Sequence, residues 1–210
     1  MKPLRQDLIP WVSRAILGIL FVLSLGAMVR QGLIDEVEPL FIGVNALLVS
    51  IPLALFFFAI GLLVETVAQH LLTHRISRRA GAALRWTPRA GLLVFALFIS
   101  LFALDIFGQG YSLWETLAGL AMHLLPTMAI LLVAALAWRW PLVGGIAMLL
   151  VAAGFVFLFG GRWGEEWSVY LTLVGPQVAI GLLFLADWWL HNEVDGGSGA
   201  LHGTDVYLTS

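Results

Sequence analysis

Long apolar runs, separated by short polar segments, dominate the chain. Six of them occur, at residues 8–29, 39–64, 88–107, 113–137, 141–160 and 167–190. Each is close to the roughly 20 residues that an α-helix needs to cross a bilayer, and they lack the alternation of membrane β-strands. Since only helices and closed barrels satisfy their backbone groups in lipid, the pattern predicts an all-α, polytopic membrane bundle of about six transmembrane helices.

Residues that favour helix starts stand at the boundaries of these runs. Three prolines occupy first helical positions: Pro39, Pro88 and Pro141. Thr87 directly precedes one of them as an N-cap residue, and Ser112 with Glu115 forms an S-x-x-E capping box. These signals predict that the third helix starts at residue 88 and the fourth at residue 113.

The basic residues are distributed unequally between the two ends of the predicted helices. With alternating spans, nine lie on the side of the N-terminus: Lys2, Arg5, Arg14, Arg75, Arg78, Arg79, Arg85, Arg89 and Arg139. The other side holds two, Arg30 and Arg162. Because loops rich in Lys and Arg stay in the cytoplasm, we expect both termini inside.

The runs divide the chain into four parts. Residues 1–66 form an N-terminal two-helix hairpin, 67–87 a basic cytoplasmic connection, 88–190 a four-helix membrane unit and 191–210 a flexible C-terminal tail. The connection begins as a helical continuation of the second run. It carries Arg75, Arg78 and Arg79, which we expect to contact lipid headgroups.

The composition excludes several functional classes. Hydrophobic residues make up 60% of the 210 residues and charged residues 11%, with a net charge of -2, so lipid is the main solvent and nucleic acid is not a predicted partner. The absence of cysteine excludes disulfides, thiolate metal sites and thiol catalysis. Neither H-E-x-x-H, G-x-S-x-G, a P-loop nor G-x-G-x-x-G occurs, so no catalytic residue and no cofactor is predicted.

Polar residues near prolines mark the centre of the predicted bilayer. Each even-numbered run contains a proline in its interior: Pro52, Pro126 and Pro176. A proline in mid-helix frees the carbonyl four residues earlier, and facing breaks would surround a polar cavity. Its predicted lining consists of four residues: Ser50, His123, Thr127 and Gln177. The alternative is that His123 and Gln177 only hydrogen-bond to neighbouring helices, contributing about 0.6 to 2 kcal/mol per contact.

Carboxylates stand near both ends of the predicted helices. Asp105 and Glu115 form a candidate outer acidic pair, although Glu115 is also explained by its capping box. Glu65 and Asp187 end the second and sixth runs on the inner side. There we expect them to pair with arginines, the candidates being Arg14, Arg89 and Arg139.

His70 and His74 form an H-x-x-x-H pair, which places both imidazoles on one helix face as metal ligation requires. The sequence around them shows no third ligand, because Glu65 is five residues from His70 and off that face. We interpret the pair as lipid headgroup contacts beside an arginine cluster, and we predict no metal site.

Over residues 85–189 the sequence resembles a family of small, uncharacterised prokaryotic four-span membrane proteins known as a domain of unknown function. The resemblance depends on Arg89, SLFALDIF at 100–107, Trp114 with Glu115, HLLPT at 123–127, AWRWPLVGG at 137–145, Gly175 with Pro176, and GLLFLADW at 181–188. It implies a four-helix unit in the cytoplasmic membrane of a prokaryote, and it implies no activity.

Three functions are compatible with these features. The first is a non-enzymatic accessory or assembly component of the membrane, whose partners are the lipid bilayer and either further copies of the chain or another membrane protein. The second is a transporter or channel for a small solute through the proline-lined midplane. The third, a lipid-acting membrane enzyme, requires carboxylates that converge at one membrane face.

Overall fold

The computed structural model describes residues 3–107, 109–159 and 167–195, and these residues confirm the predicted all-α bundle: they contain six long helices and no strand. The first five are α1 (Pro3–Ile34), α2 (Pro39–Thr73), α3 (Arg78–Ser100), α4 (Leu113–Arg139) and α5 (Pro141–Phe159). A 3-10 segment, Leu101–Ile106, extends α3. Lys2, Arg162 and residues 196–210 of the predicted tail lie outside the described residues.

The last helix, α6, changes its winding near its start. It begins as Trp167–Val169, widens into a π-helical turn at Tyr170–Val174, and continues as an α-helix over Gly175–Asp195. Within the turn, the Gly175 N–H donates to the Tyr170 carbonyl, five residues back. Because Pro176 has no N–H, the ordinary ladder is interrupted at the next residue, which explains why the wider turn occurs here.

By length and composition, five helices in the described part of the chain are able to cross a membrane. They cover Pro10–Ile34, Pro39–Thr73, Arg78–Ile106, Leu113–Arg139 and Trp167–His191. The remaining apolar helix is shorter, at Pro141–Phe157, and the predicted end of that run at residue 160 lies outside the described residues. The prolines predicted at helix starts, Pro39 and Pro141, and the capping box of Ser112 and Glu115 are confirmed.

The predicted start of the third helix at Thr87 and Pro88 is wrong. α3 starts ten residues earlier, at Arg78, where the Ser77 side chain accepts a hydrogen bond from the Ala80 N–H, and Pro88 lies inside the helix. The connection between α2 and α3 is therefore the short turn 74–77. The reason is packing: Ile76, Ala80 and Leu84 recur every four residues and are all buried, so this arginine-rich stretch has an apolar face.

Two buried clusters hold the helices together, and α3 and α6 contribute to both. One joins α3, α4, α5 and α6 around Phe95, Ile130, Met148 and Phe184. The other joins α2, α3 and α6 around Ala59, Leu84 and Leu183. By contrast, α1 packs mainly on α2, and none of the most apolar part of α1 is buried.

The backbones of α5 and α6 approach each other closely at two glycines. A Cβ atom added to Gly145 would lie 3.0 Å from the Gly181 carbonyl oxygen, and one added to Gly181 would lie 3.2 Å from the Gly145 carbonyl oxygen. Small residues at a membrane helix interface allow this approach and the van der Waals contact that follows from it.

We expect Gly181→Leu to force α5 and α6 apart and to lower the free energy of unfolding by about 1–3 kcal/mol, as overpacking does. Unfolding of the detergent-solubilised protein measures the effect. Gly154→Leu on α5 is the matched control, because a Cβ there meets nothing within 4 Å. Equal stability of the two variants would contradict the close contact.

Candidate functional site

Three contacts between basic and acidic side chains connect different helices at one end of the bundle, where α2 and α6 end and α3 begins. They join Arg14 of α1 to Glu65 of α2 (2.6 Å), His70 of α2 to Glu193 of α6 (2.8 Å), and Arg89 of α3 to Asp187 of α6 (3.0 Å). The predicted pairing of Glu65 and Asp187 with arginines is thereby seen in the structure. This end, which we call the basic end, corresponds to the predicted cytoplasmic side.

The pair of Arg89 and Asp187 is the most buried of the three, with both side chains about 10% exposed. Arg89 also donates to the Arg85 carbonyl and lies over the ring of Phe184, 5.7 Å from its centroid. The guanidinium is thus held by a carboxylate, a carbonyl and an aromatic face. A buried charge with this many partners is fixed in position, and removing one partner leaves the other uncompensated.

An open groove of about 420 Å³ lies between α1, α2 and α3 at the basic end. Its charged residues are Arg14, Glu65 and Arg79, and the rest of its wall is mainly apolar: Leu17, Phe21, Ala54, Phe57, Phe58 and Leu62. The other predicted headgroup residues, Arg75 and Arg78, are exposed and lie close to Arg79 in the sequence. An apolar wall with arginines at one end suits an acyl chain with an anionic headgroup. Headgroup contact itself stays a prediction.

A second basic pocket, of about 490 Å³, lies where α3, α4, α5 and α6 meet. It is lined by Arg85, Arg89, Trp138, Arg139, Pro141, Asp187, Trp188 and His191. Because Arg139 closes α4 and Asp187 lies near the end of α6, both helices run towards the basic end.

The predicted midplane residues differ in where the structure places them. Gln177 is fully buried and Thr127 is 5% exposed, and both amide atoms of Gln177 and the Thr127 hydroxyl lack a hydrogen-bond partner. Ser50 is half-buried and donates to the Leu47 carbonyl of its own helix. His123 is exposed, with Nδ1 at 3.0 Å from the Gly119 carbonyl oxygen.

The two buried members stand at a similar depth. Thr127 precedes Ile130, and Gln177 precedes Ile180, each by three residues, and both isoleucines belong to the same buried cluster. Since α4 and α6 run in the same direction, both polar side chains lie about one turn from these isoleucines, on the side away from the basic end. Pro52 and Pro176 are buried beside the core, and Pro126 is half-buried. That these residues line a cavity stays a prediction.

The two members of the candidate outer acidic pair, Asp105 and Glu115, have different surroundings. The Glu115 carboxylate accepts hydrogen bonds from the N–H and the hydroxyl of Ser112, at 2.9 and 2.7 Å, as the capping box requires. Asp105 is exposed in the 3-10 segment, and its carbonyl accepts from Gln109. Glu115 thus serves the start of α4.

Glu193 is the site residue that the sequence prediction missed. The sequence predicts that Glu193 belongs to the flexible tail, whereas α6 continues to Asp195 and brings the Glu193 carboxylate to His70. The signal was the helical period: Leu183, Ala186 and Leu190 are buried, and the next residue on that face is 193. Because hydropathy drops after Leu190, the apolar run ends there and the continuation of the helix to Glu193 is not predicted.

Residues 76–194 match the family described as Domain of unknown function (DUF7670). This chain belongs to the DUF7670 family. No curated protein and no solved structure matches it. The match covers α3 to α6 and is wider than the predicted resemblance over 85–189. The pair of Arg89 and Asp187 therefore lies within the DUF7670 region, and the pair of Arg14 and Glu65 lies before it.

We expect Asp187→Ala to lower the free energy of unfolding by about 3–5 kcal/mol, because it leaves the Arg89 guanidinium buried without its carboxylate. Glu65→Ala is the control. Its partner Arg14 is 58% exposed, so we expect this variant to lose no more than about 1 kcal/mol of unfolding free energy. Both are measured by thermal unfolding in detergent.

The double variant Arg89→Leu with Asp187→Leu separates charge from shape. It removes both charges and is expected to recover most of the stability lost in Asp187→Ala, since buried pairs are often replaceable by apolar residues. Equal losses in the single and double variants would show that the charges themselves are needed.

Proposed function

We propose that this DUF7670 member is a non-enzymatic accessory or assembly component of a prokaryotic cytoplasmic membrane, with both termini inside. The observation that carries the proposal is α1, whose spanning part is unburied within the chain's own fold. A helix that contributes nothing to the buried core remains available to another helix.

The free face of α1 has the pattern of a helix-packing surface. Val12, Ile16, Ile19 and Leu23 recur at spacings of three and four residues, and all are 46–62% exposed. Leu17 lies on the opposite side and packs against Gly61 of α2. This stripe suits a helix from a second copy of the chain, since van der Waals packing drives association in lipid.

His123 supports the same proposal. It stands ten residues into α4, about 15 Å from the helix start, and its side chain is exposed. A polar group facing lipid at that depth is costly, and a hydrogen bond from a neighbouring helix removes much of the cost. The predicted packing role of His123 is therefore proposed between chains.

The engaged carboxylates argue against a lipid-acting enzyme. Glu65, Asp187 and Glu193 each bind a basic side chain, and Glu115 caps α4. The lipid-enzyme hypothesis needs carboxylates that converge at one membrane face, and the two inner ones, Glu65 and Asp187, instead bind arginines on two different helices.

We expect Ile19→Cys to form a disulfide-linked dimer in membranes treated with an oxidant, because two copies would place this position near itself. The chain has no cysteine, so the background is clean. Leu17→Cys, which faces α2, is the matched control and is expected to stay monomeric. A cross-link to a different protein would support the assembly role with another partner; a monomer at every exposed α1 position would contradict it.

We propose a second candidate function, passage of a small uncharged solute, because Gln177 and Thr127 leave buried polar atoms without partners. A water or solute at that depth would satisfy them. Amide and hydroxyl groups suit a neutral hydrogen-bonding molecule such as urea or glycerol.

We expect Gln177→Leu and Thr127→Val to abolish such flux in proteoliposomes, measured by stopped-flow light scattering. Thr172→Val is the control, because the buried Thr172 hydroxyl already donates to the Ser168 carbonyl at 2.7 Å. The second candidate function would be contradicted if liposomes with wild-type protein took up the solute no faster than empty liposomes and Gln177→Leu were more stable than wild type.

A further inference from the structure

Two imidazoles and one carboxylate meet where the end of α2 lies against the end of α6. The ligand atoms of His70, His74 and Glu193 all lie within 4.8 Å of one another. We infer that these three residues bind a divalent transition-metal ion, with Zn²⁺ as the most suitable.

The fold brings the histidines together in a specific way. His70 lies in the last turn of α2, and His74 ends the helix in the left-handed conformation, with φ of 51° and its N–H donating to the His70 carbonyl. That conformation is uncommon for a residue other than glycine. The two rings meet edge to face, with centroids 5.3 Å apart. The turn is fixed by Gln69, whose side-chain oxygen accepts from the Ser77 N–H.

The third ligand comes from 119 residues further along the chain than His74. Glu193 Oε2 lies 2.8 Å from His70 Nδ1, and the two side chains are only 26% and 15% exposed. This supplies the ligand that the H-x-x-x-H spacing lacked in the sequence. The ring of Trp189 packs against His70, with centroids 4.8 Å apart, and restricts its orientation.

The donor set selects the kind of ion. Two imidazole nitrogens and one carboxylate oxygen suit Zn²⁺, Co²⁺, Ni²⁺ or Cu²⁺ rather than Mg²⁺ or Ca²⁺. Zinc bond lengths near 2.1 Å require tetrahedral ligands roughly 3.4 Å apart. His74 is exposed, so its side chain can rotate to close the remaining distance. A water would complete the coordination.

The sequence between the histidines distinguishes this site from a metalloprotease. Leu71 follows His70, where the H-E-x-x-H motif has the glutamate that acts as general base. The ion is therefore expected to join α2 to α6. His70 and His74 precede the DUF7670 region and Glu193 lies within it, so the ion would attach the N-terminal hairpin to the family unit.

The test uses the full chain without a polyhistidine tag, stripped of metal with a chelator and kept in detergent. Titration with ZnCl₂ in a calorimeter is expected to give one ion per chain, and Co²⁺ to give the visible absorption of a tetrahedral site. Zinc is also expected to raise the melting temperature, since it binds only the folded protein. Absence of zinc binding by the folded wild-type protein would overturn the inference.

Variants separate the three ligands from other histidines. His74→Ala and Glu193→Gln are each expected to weaken zinc binding by at least about tenfold. His191→Ala is the matched control, because it stands two residues from Glu193 but lines the pocket with Arg85 and Arg139. Because His74 is exposed, its variant stays informative if His70→Ala misfolds. Unchanged affinity in both ligand variants, or an equal loss in His191→Ala, would overturn the site.

Discussion

Lipid is as apolar as a leucine side chain, so burial of apolar surface does not by itself hold membrane helices together. Close packing and polar contacts must do so, and in this protein both converge on α6. Gly181 lets α5 approach its backbone, Asp187 binds Arg89 of α3, and Glu193 binds His70 of α2. One helix thus carries a distinct kind of contact to each of three neighbours. The short-range packing lies along its middle, and the charged contacts lie towards the basic end.

The sequence predicted those parts of the fold that depend on local chemistry. Apolar run length gave the helices, Ser112 with Glu115 gave the start of α4, and the interior prolines were placed correctly within α2, α4 and α6. It failed where tertiary packing outweighed local signals. Thr87 with Pro88 has the form of a helix start, but the apolar face of Ile76, Ala80 and Leu84 packs into the core and extends α3 through that proline. A proline inside a membrane helix is tolerated where neighbouring helices or side chains satisfy the backbone groups that it leaves free.

The candidate functional residues also fall into two groups: those that sequence position identifies and those that depend on tertiary contacts. Proximity to the interior prolines identified Gln177 and Thr127 as deep polar positions, and both are buried. The same criterion selected His123 but could not show that its side chain is exposed on α4. Depth follows from sequence position, whereas exposure depends on which helices are neighbours. Glu193 shows the limit most clearly, because its importance follows from a contact with His70, 123 residues away.

The π-helical turn at Tyr170–Val174 has a consequence for how α6 tolerates change in length. Such a turn accommodates one more residue than an α-helical turn does, and one residue corresponds to a rotation of about 100° around the axis. Gly181 and Asp187 therefore face their partners with an angular phase, relative to the first turn at Trp167–Val169, that this extra residue sets. An insertion or deletion upstream of Gly175 need not disturb them if the turn widens or narrows to absorb it. The turn can thus absorb a change of one residue within the first turn of α6, at Trp167–Val169, while the contacts after Gly175 keep their alignment.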